Sequence, residues 1–304
     1  MVGMSTLTIK QQTNYDGFPK AAELIEIRDT HALEASDRAI FNQLLQIAHD
    51  SGRLTEADAE WEVSLAHLRQ AQSRHTSNDR IRESVGRIMS VVVQISYVSA
   101  SGEARTHRSP LLNFTDTSDK DSPNATLQFG IPKRLRMILA RSNRWGRIRC
   151  EVAYAMTSKY AIALYEMIAL RANMSRCTET MTLDEFRARL GVPPGAYDRG
   201  DNFVRFVIKP ALLEVNGLSD MGVQIEMQRR HPRAPAHAVT FAWWRKQGDE
   251  YRAALEERQR SKVGRMARLR GEVETVKALD ELAADEEVGA LLETMRAKER
   301  KATT

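Results

Sequence analysis

The chain of 304 residues is poor in the features that commit a protein to a covalent or catalytic class. It has two cysteines, Cys150 and Cys177. They form no C-x-x-C pair and lie near no histidine cluster, which argues against a disulfide framework or a zinc site and for two reduced thiols. No apolar stretch approaches the roughly 20 residues that a membrane-spanning helix requires. The longest, around Met89 to Val98, is interrupted by Ser90, Gln94 and Ser96. Met1 to Asn14 carries no basic flank followed by an apolar run, so no signal peptide is expected, and the protein is expected in the cytoplasm, away from any membrane. Neither G-x-x-x-x-G-K-[ST] nor G-x-G-x-x-G occurs, which leaves nucleotide binding unsupported. His231 and His237 are too far apart for the His-hydrophobic-His metal motif of a nicking enzyme, and no paired carboxylates or Ser/His/Asp set stands out. No cofactor, metal or catalysis is expected.

What remains is ordinary globular composition, 42% apolar and 28% charged, with a modest formal excess of +5. The length fits two domains. Helical spacing of apolar residues predicts helices over Ser36–Asp50, Glu60–Ala71 and Asp79–Met89. The period then changes to two: Val91, Val93, Ile95 and Tyr97 share one face of a strand, and strand-like segments follow at Arg108–Thr115 and Thr126–Ile131 around a polar loop, Asp116–Asn124. The order then repeats. A helix is expected over Thr157–Arg171. A second starts at the capping box Thr182-Leu183-Asp184-Glu185 and ends at Gly191. A third, capped by Gly200-Asp201-Asn202, runs to Asn216-Gly217. Two alternating strands close the unit, one through Val223, Ile225 and Met227 and one through Val239, Phe241 and Trp243, joined by the basic turn Arg229 to Arg233.

Three helices and a hairpin, seen twice, give an α+β fold of tandem winged-helix domains, each a helix-turn-helix with a β-hairpin wing. The expected division is a flexible N-terminus over 1–20, a first domain over 21–150, a second over 151–248 and a charged helical tail over 249–304. In that tail Met266, Leu269, Val273, Val276 and Leu279 are spaced by threes and fours, too briefly for a coiled coil, and a solvated or frayed helix is the simpler reading.

A helix-turn-helix protein reads double-stranded DNA with its last helix. In the second domain Phe203, Phe206 and Val207 are expected inward, and Asn202, Arg205 and Lys209, at i, i+3 and i+7, outward. Arg bonds guanine bidentately and Asn bonds adenine, while Lys209 serves equally as a phosphate anchor. The alternative is an ordinary solvated face. Pro210 conflicts with a continuous helix, so either the helix kinks or a new one begins there. Arg229, Arg230 and Arg233 crowd the wing tip without an intervening acid, as suits phosphate or the minor groove. The first domain offers Asn78, Arg80, Arg82, Ser84 and Arg87 as a second reading surface. Lys133, Arg134, Arg136, Arg141, Arg144, Arg147 and Arg149 form an acid-free run suited to a phosphate backbone, in part the polar face of a helix with Leu135 and Leu139 inward.

Three stretches carry a resemblance. Met156 to Glu166, MTSKYAIALYE, is similar to the opening of the second domain in iteron-binding plasmid replication initiators, and brings Lys159 into the set of candidate DNA contacts. Leu183 to Val192, LDEFRARLGV, and Phe203 to Asn216, FVRFVIKPALLEVN with Pro210 in place, resemble two further motifs of that family. Glu23 to Ile27 and Arg80 to Ser84 are similar less specifically, and the resemblance spans about Ala21 to Lys246. It implies monomers that bind direct repeats at a plasmid origin and help to melt it. It also implies homodimers, joined through the first domain and in equilibrium with monomer, that repress the initiator's own gene. A host replication initiator and the replicative helicase are the implied partners. The competing readings are a transcriptional repressor on the same scaffold and, more distantly, a nicking enzyme.

Overall fold

The computed structural model describes residues 7–72, 77–99, 101–118, 122, 124–231 and 234–271. A 3-10 turn, Thr8–Lys10, precedes strand β1 (Phe18–Ala21), the short helix α1 (Ala22–Ile25) and the long helix α2 (Ala35–Asp50). Helix α2 starts at a reciprocal capping box in which the Glu34 N–H donates to Asp37 Oδ2 at 2.8 Å. It buries Ile40, Phe41, Leu44, Leu45 and Ala48, a stripe at helical spacing.

Where one helix is expected over Glu60–Ala71, the chain forms a strand and then a helix, β2 (Trp61–Ser64) and α3 (Leu65–Gln72). Trp61, Leu65 and Leu68 do repeat at helical spacing, but Trp61 and Val63 also alternate with Glu62. That alternation wins because β2 finds a partner at the other end of the domain, Trp61 lying opposite Phe129 with ring centroids 5.7 Å apart. Helix α4 (Asn78–Ser90) follows, capped by Ser77. Strands β3 (Val92–Val98) and β4 (Ala104–Pro110) form a separate antiparallel ribbon. The single strand expected over Arg108–Thr115 is divided: buried Leu111 and Leu112 turn the chain between β4 and β5 (Phe114–Thr117). With β6 (Thr126–Gly130) the sheet order is β2-β6-β5.

Between the two halves lie α5 (Lys133–Arg141), β7 (Trp145–Ile148) and α6 (Cys150–Ala155). Strand β7 pairs back onto β1, so the N-terminal segment is stitched to the joint. The second half comprises α7 (Lys159–Arg171), β8 (Thr178–Thr182), α8 (Leu183–Leu190), α9 (Gly200–Phe203), a π-helical turn (Val204–Ile208), α10 (Lys209–Leu218), β9 (Met221–Arg229) and β10 (Ala236–Arg245). Its sheet order is β8-β10-β9. In both halves, therefore, a strand ahead of the second helix pairs with the last strand of the hairpin. The internal repeat expected from helix order extends to strand order, through two strands, β2 and β8, that the sequence reading missed.

Helix α11 (Gly248–Gln259) is not a free tail. It lies against α10, buries Ala254, and its Tyr251 hydroxyl accepts from Arg149 Nη1 at 3.0 Å. A second unit begins at Gly264, with α12 (Arg265–Leu269) holding Met266 and Leu269. Val273, Val276 and Leu279 lie outside the described residues. No helix among the described residues is long and apolar enough to cross a membrane.

Buried charge joins the halves. Lys20 of β1, Asn42 of α2 and Glu166 of α7 form a closed triangle. Lys20 Nζ donates to Glu166 Oε2 and to Asn42 Oδ1, both at 2.9 Å, and Asn42 Nδ2 donates to Glu166 Oε1 at 2.6 Å. The Lys20 and Glu166 side chains are 3% and 4% exposed. Burial lowers the Lys20 pKa, and Glu166 opposes that shift. A second set runs across the rim: Arg171 and Arg189 of the second half both reach Glu26 of the first, at 3.3 and 2.6 Å, and Arg28 pairs with Glu185. Gly191, the left-handed C-cap of α8 at φ 74°, abuts the first half. A Cβ there would stand 2.5 Å from the Arg38 guanidinium and 2.7 Å from Thr30 Oγ1, so both the backbone angle and the close approach demand glycine.

Candidate nucleic-acid interface

The second-half helix that follows the turn is continuous from Gly200 to Leu218, but its middle is widened to accept a proline. Pro210 has no N–H, and in a regular α-helix its ring would collide with the carbonyl of Phe206. Over Val204–Ile208 the ladder widens, and the Lys209 N–H reaches back five residues to the Val204 carbonyl. The expected kink or restart is thus resolved as a π turn, a device found disproportionately at functional sites. The helix begins at Gly200, the first residue of the expected cap. Arg199 occupies the N-cap without a side-chain hydrogen bond, and Asp201 sits in the first turn, where the helix dipole favours an acid.

Asn202, Arg205 and Lys209 all lie exposed along this helix. Phe203, Val207 and Ile208 are buried beneath it. Phe206 is the correction: expected inward, it is 48% exposed, on the same face as Arg205. The extra residue in the π turn breaks the 3.6-residue phase on which the inward assignment rested. The Arg205 guanidinium lies 5.2 Å from the Phe206 ring centroid, and the Tyr197 ring centroid lies 6.1 Å from it. Tyr197 is held there by its unusual left-handed backbone, φ 56°, by a hydrogen bond with the Tyr160 side chain, and by Arg187, which donates to the carbonyls of Ala196 and Tyr197 and stacks on Phe203 at 4.8 Å.

The wing meets the start of this helix. A Cβ placed on Gly200 would be 3.6 Å from the Arg229 guanidinium. Arg229 also braces the wing tip by donating to the Ala234 carbonyl at 2.8 Å. Arg230 is exposed, as is Arg199 beside Gly200, which the sequence reading passed over. Arg233, with Pro232, lies outside the described residues.

The family-like motifs prove largely architectural. Glu214 is buried, and its carboxylate accepts from the Thr157 and Ser158 backbone N–H groups at 3.0–3.1 Å and from the Thr157 hydroxyl, closing the N-terminus of α7. Asn216 holds both the N–H and the carbonyl of Val223, anchoring β9. Lys159 is half-buried and donates to the His31 carbonyl at 2.7 Å, a tie to the first half. At the head of α8, Thr182 Oγ1 accepts from the Glu185 N–H as expected, but the Glu185 carboxylate turns to Arg189 and Arg28 and leaves the capping box one-sided.

In the first half, burial removes several candidates from any reading surface. Asn78 is 6% exposed and Ser84 fully buried. Arg87 is held by Asp37, donating to both carboxylate oxygens at 2.9 Å, while Ser84 donates to the same group. Burial pushes the Asp37 carboxyl up, yet the bonds from Arg87, Ser84 and the Glu34 N–H outweigh it, and its pKa lies below the ordinary value. The sign is that of a native-state carboxylate: its contribution to stability is present above the ordinary pKa and is lost as pH falls through the lowered one. Arg82 pairs with Asp79 and donates to the Ser118 carbonyl at 2.8 Å. Arg80 is exposed.

The acid-free run divides in the same way. Lys133, Arg134, Arg141 and Arg144 are exposed, with Arg134 stacked on Tyr97 at 4.7 Å. Arg136 is 4% exposed and donates to the carbonyls of Ile131, Leu54, Glu56 and Ala57. Arg147 donates to the Gln12 and Gly17 carbonyls, and Arg149 is buried against Tyr251. No group of three metal-ligating side chains occurs among the described residues.

Two family models match the chain. The one described as Initiator Replication protein, WH1 covers residues 19–169, and the one described as Initiator Rep protein, WH2 covers 182–243. The chain belongs to the initiator replication protein family. The WH1 match takes in β1 through most of α7, and the WH2 match takes in α8 through most of β10. Among solved structures, the initiator is similar to the Pi initiator protein in complex with iteron DNA, with a TM-score of 0.55 at 13% identity over 76% of this chain and 97% of that one. A second similarity, to domains 2 and 3 of RctB, has a TM-score of 0.43 at 15% identity over 69% of this chain and 81% of that one. A comparison with curated proteins returns no match.

Proposed function

We propose that this initiator binds direct repeats, iterons, at a plasmid origin, with the Gly200–Leu218 helix of WH2 in a major groove and the wing on the flanking backbone. The observation that carries the reading is that Asn202, Arg205 and Lys209 are all exposed on one helix, with Arg229 of the wing at that helix's start. Base-reading side chains and phosphate-anchoring cations stand together, as groove recognition requires. The complex of Pi with iteron DNA, formed by a protein of similar fold, supports it. Within the proposal, residues 151–248 are the main sequence reader, and residues 21–150 contribute phosphate contacts through Arg80, Lys133 and Arg134 and join homodimers that repress the initiator's own gene. The host initiator and helicase are its partners at the origin. The protein acts in the bacterial cytoplasm by binding and remodelling DNA, without a catalytic step.

The test separates reading from anchoring. Arg205→Ala should cost about 1–3 kcal/mol on the cognate repeat and relax preference at one base position. Arg230→Ala should weaken all duplexes about equally and make the log–log salt slope shallower by about one unit. Binding of both variants to the cognate repeat, single-base variants and random DNA, at several salt concentrations, decides. A uniform loss for Arg205→Ala with base preference intact would remove this helix from the major groove.

A further inference from the structure

Of the eight phenylalanines, seven are buried or half-buried, and Phe206 alone stands exposed. Single exposed apolar side chains are common on protein surfaces. This one differs in its position and in how it is held. It lies four residues after Asn202 and one after Arg205, on the exposed face of the helix taken above to enter the groove. The π turn puts it there, and it packs against both the Tyr197 ring and the Arg205 guanidinium. An apolar surface fixed in a major groove has one natural counterpart on B-DNA, the C5-methyl group of thymine.

We propose that Phe206 is a specificity-determining residue that contacts the methyl group of a thymine next to the guanine read by Arg205. The proposal rests on the assignment of this helix to the major groove. Arg205 and Phe206 then act as a pair, the cation on the acceptor edge of guanine and the ring on the neighbouring methyl.

The experiment uses the full chain and a duplex that it selects from a random-sequence library, with each thymine replaced in turn by deoxyuridine. Deoxyuridine pairs identically and lacks only the methyl. In the wild-type protein one replacement should lower affinity about four-fold, the value of one buried methyl-sized group. Phe206→Ala should lose at least that much on the thymine duplex and be indifferent to deoxyuridine at that position. Phe206→Leu should keep part of the sensitivity. Thermal melting of both variants checks their fold; were Phe206→Ala to unfold, the wild-type scan together with Phe206→Leu decides.

A wild-type protein indifferent to every deoxyuridine overturns the proposal, as does a folded Phe206→Ala that is as sensitive as the wild type. If Arg205→Ala still relaxes one base while no methyl matters, this inference alone fails. If Arg205→Ala and Phe206→Ala both leave affinity and preference unchanged, the groove assignment fails with it.

Discussion

Glu166→Ala is expected to lower the stability of the initiator by about 3–5 kcal/mol, the largest effect of any single substitution considered. The loss arises less from the missing attraction than from what stays behind. Lys20 is a cation 3% exposed, with Arg38, another buried cation, nearby, and Glu166 is the acid that holds it. Without the carboxylate, Lys20 keeps Asn42 alone as hydrogen-bond partner. Chemical denaturation followed by far-UV circular dichroism gives the number. The double variant Lys20→Met/Glu166→Gln removes both charges, leaves an amide to meet Asn42, and should recover most of the loss, because apolar replacement of a buried pair is often close to neutral. A cost below about 1 kcal/mol for Glu166→Ala would mean that the triangle is open to water. Since its corners lie on β1, α2 and α7, the variant should also unfold with the packing of α7 on β1 and α2 loosened, which limited proteolysis around 150–158 would register.

Arg136→Ala comes second, with about 3 kcal/mol expected, and it has a built-in contrast. Arg136 belongs by sequence to the same basic run as Lys133 and Arg134, yet its guanidinium is spent on four backbone carbonyls of the first half. Its removal should depress the melting temperature and leave the salt slope of binding unchanged for the folded fraction. Lys133→Ala/Arg134→Ala should do the reverse: stability within about 0.5 kcal/mol of wild type, apart from the lost Arg134–Tyr97 stacking, and a salt slope shallower by about two units. If the three behave alike, the run does not divide into inner and outer members.

The helices and hairpins were legible because their signals are local. The stripe of α2, the Ser77 and Thr182 caps and the alternation in β9 and β10 follow from spacing alone. The short strands β2 and β8 were not, since four or five residues before a helix carry too little period, and their identity depends on partners, β6 and β10, far along the chain. Some of the candidate cations were placed too far outward for a related reason. Arg136 and Arg149 look like surface cations until the fold supplies a set of orphan carbonyls or Tyr251, and Arg87 looks unpaired until it supplies Asp37. Phe206 was misjudged because helical phase was extrapolated through a proline. The signal was present, in Pro210 itself, four residues downstream of the misplaced ring.

A π turn is an α-helix carrying one residue too many, and this has a consequence for how the reading surface can change over time. Deleting one residue between 204 and 208 would restore an α ladder with little change of phase, because the five residues of the π turn cover about the angle of four α residues, so the helix on either side would keep roughly its present orientation. The same deletion would set Pro210 against a carbonyl again. The proline is therefore tied to the surplus residue, tolerable in this helix only while that residue is present. While Pro210 stands, the length of this segment is fixed, and drift in binding preference is channelled into side-chain exchange at fixed positions.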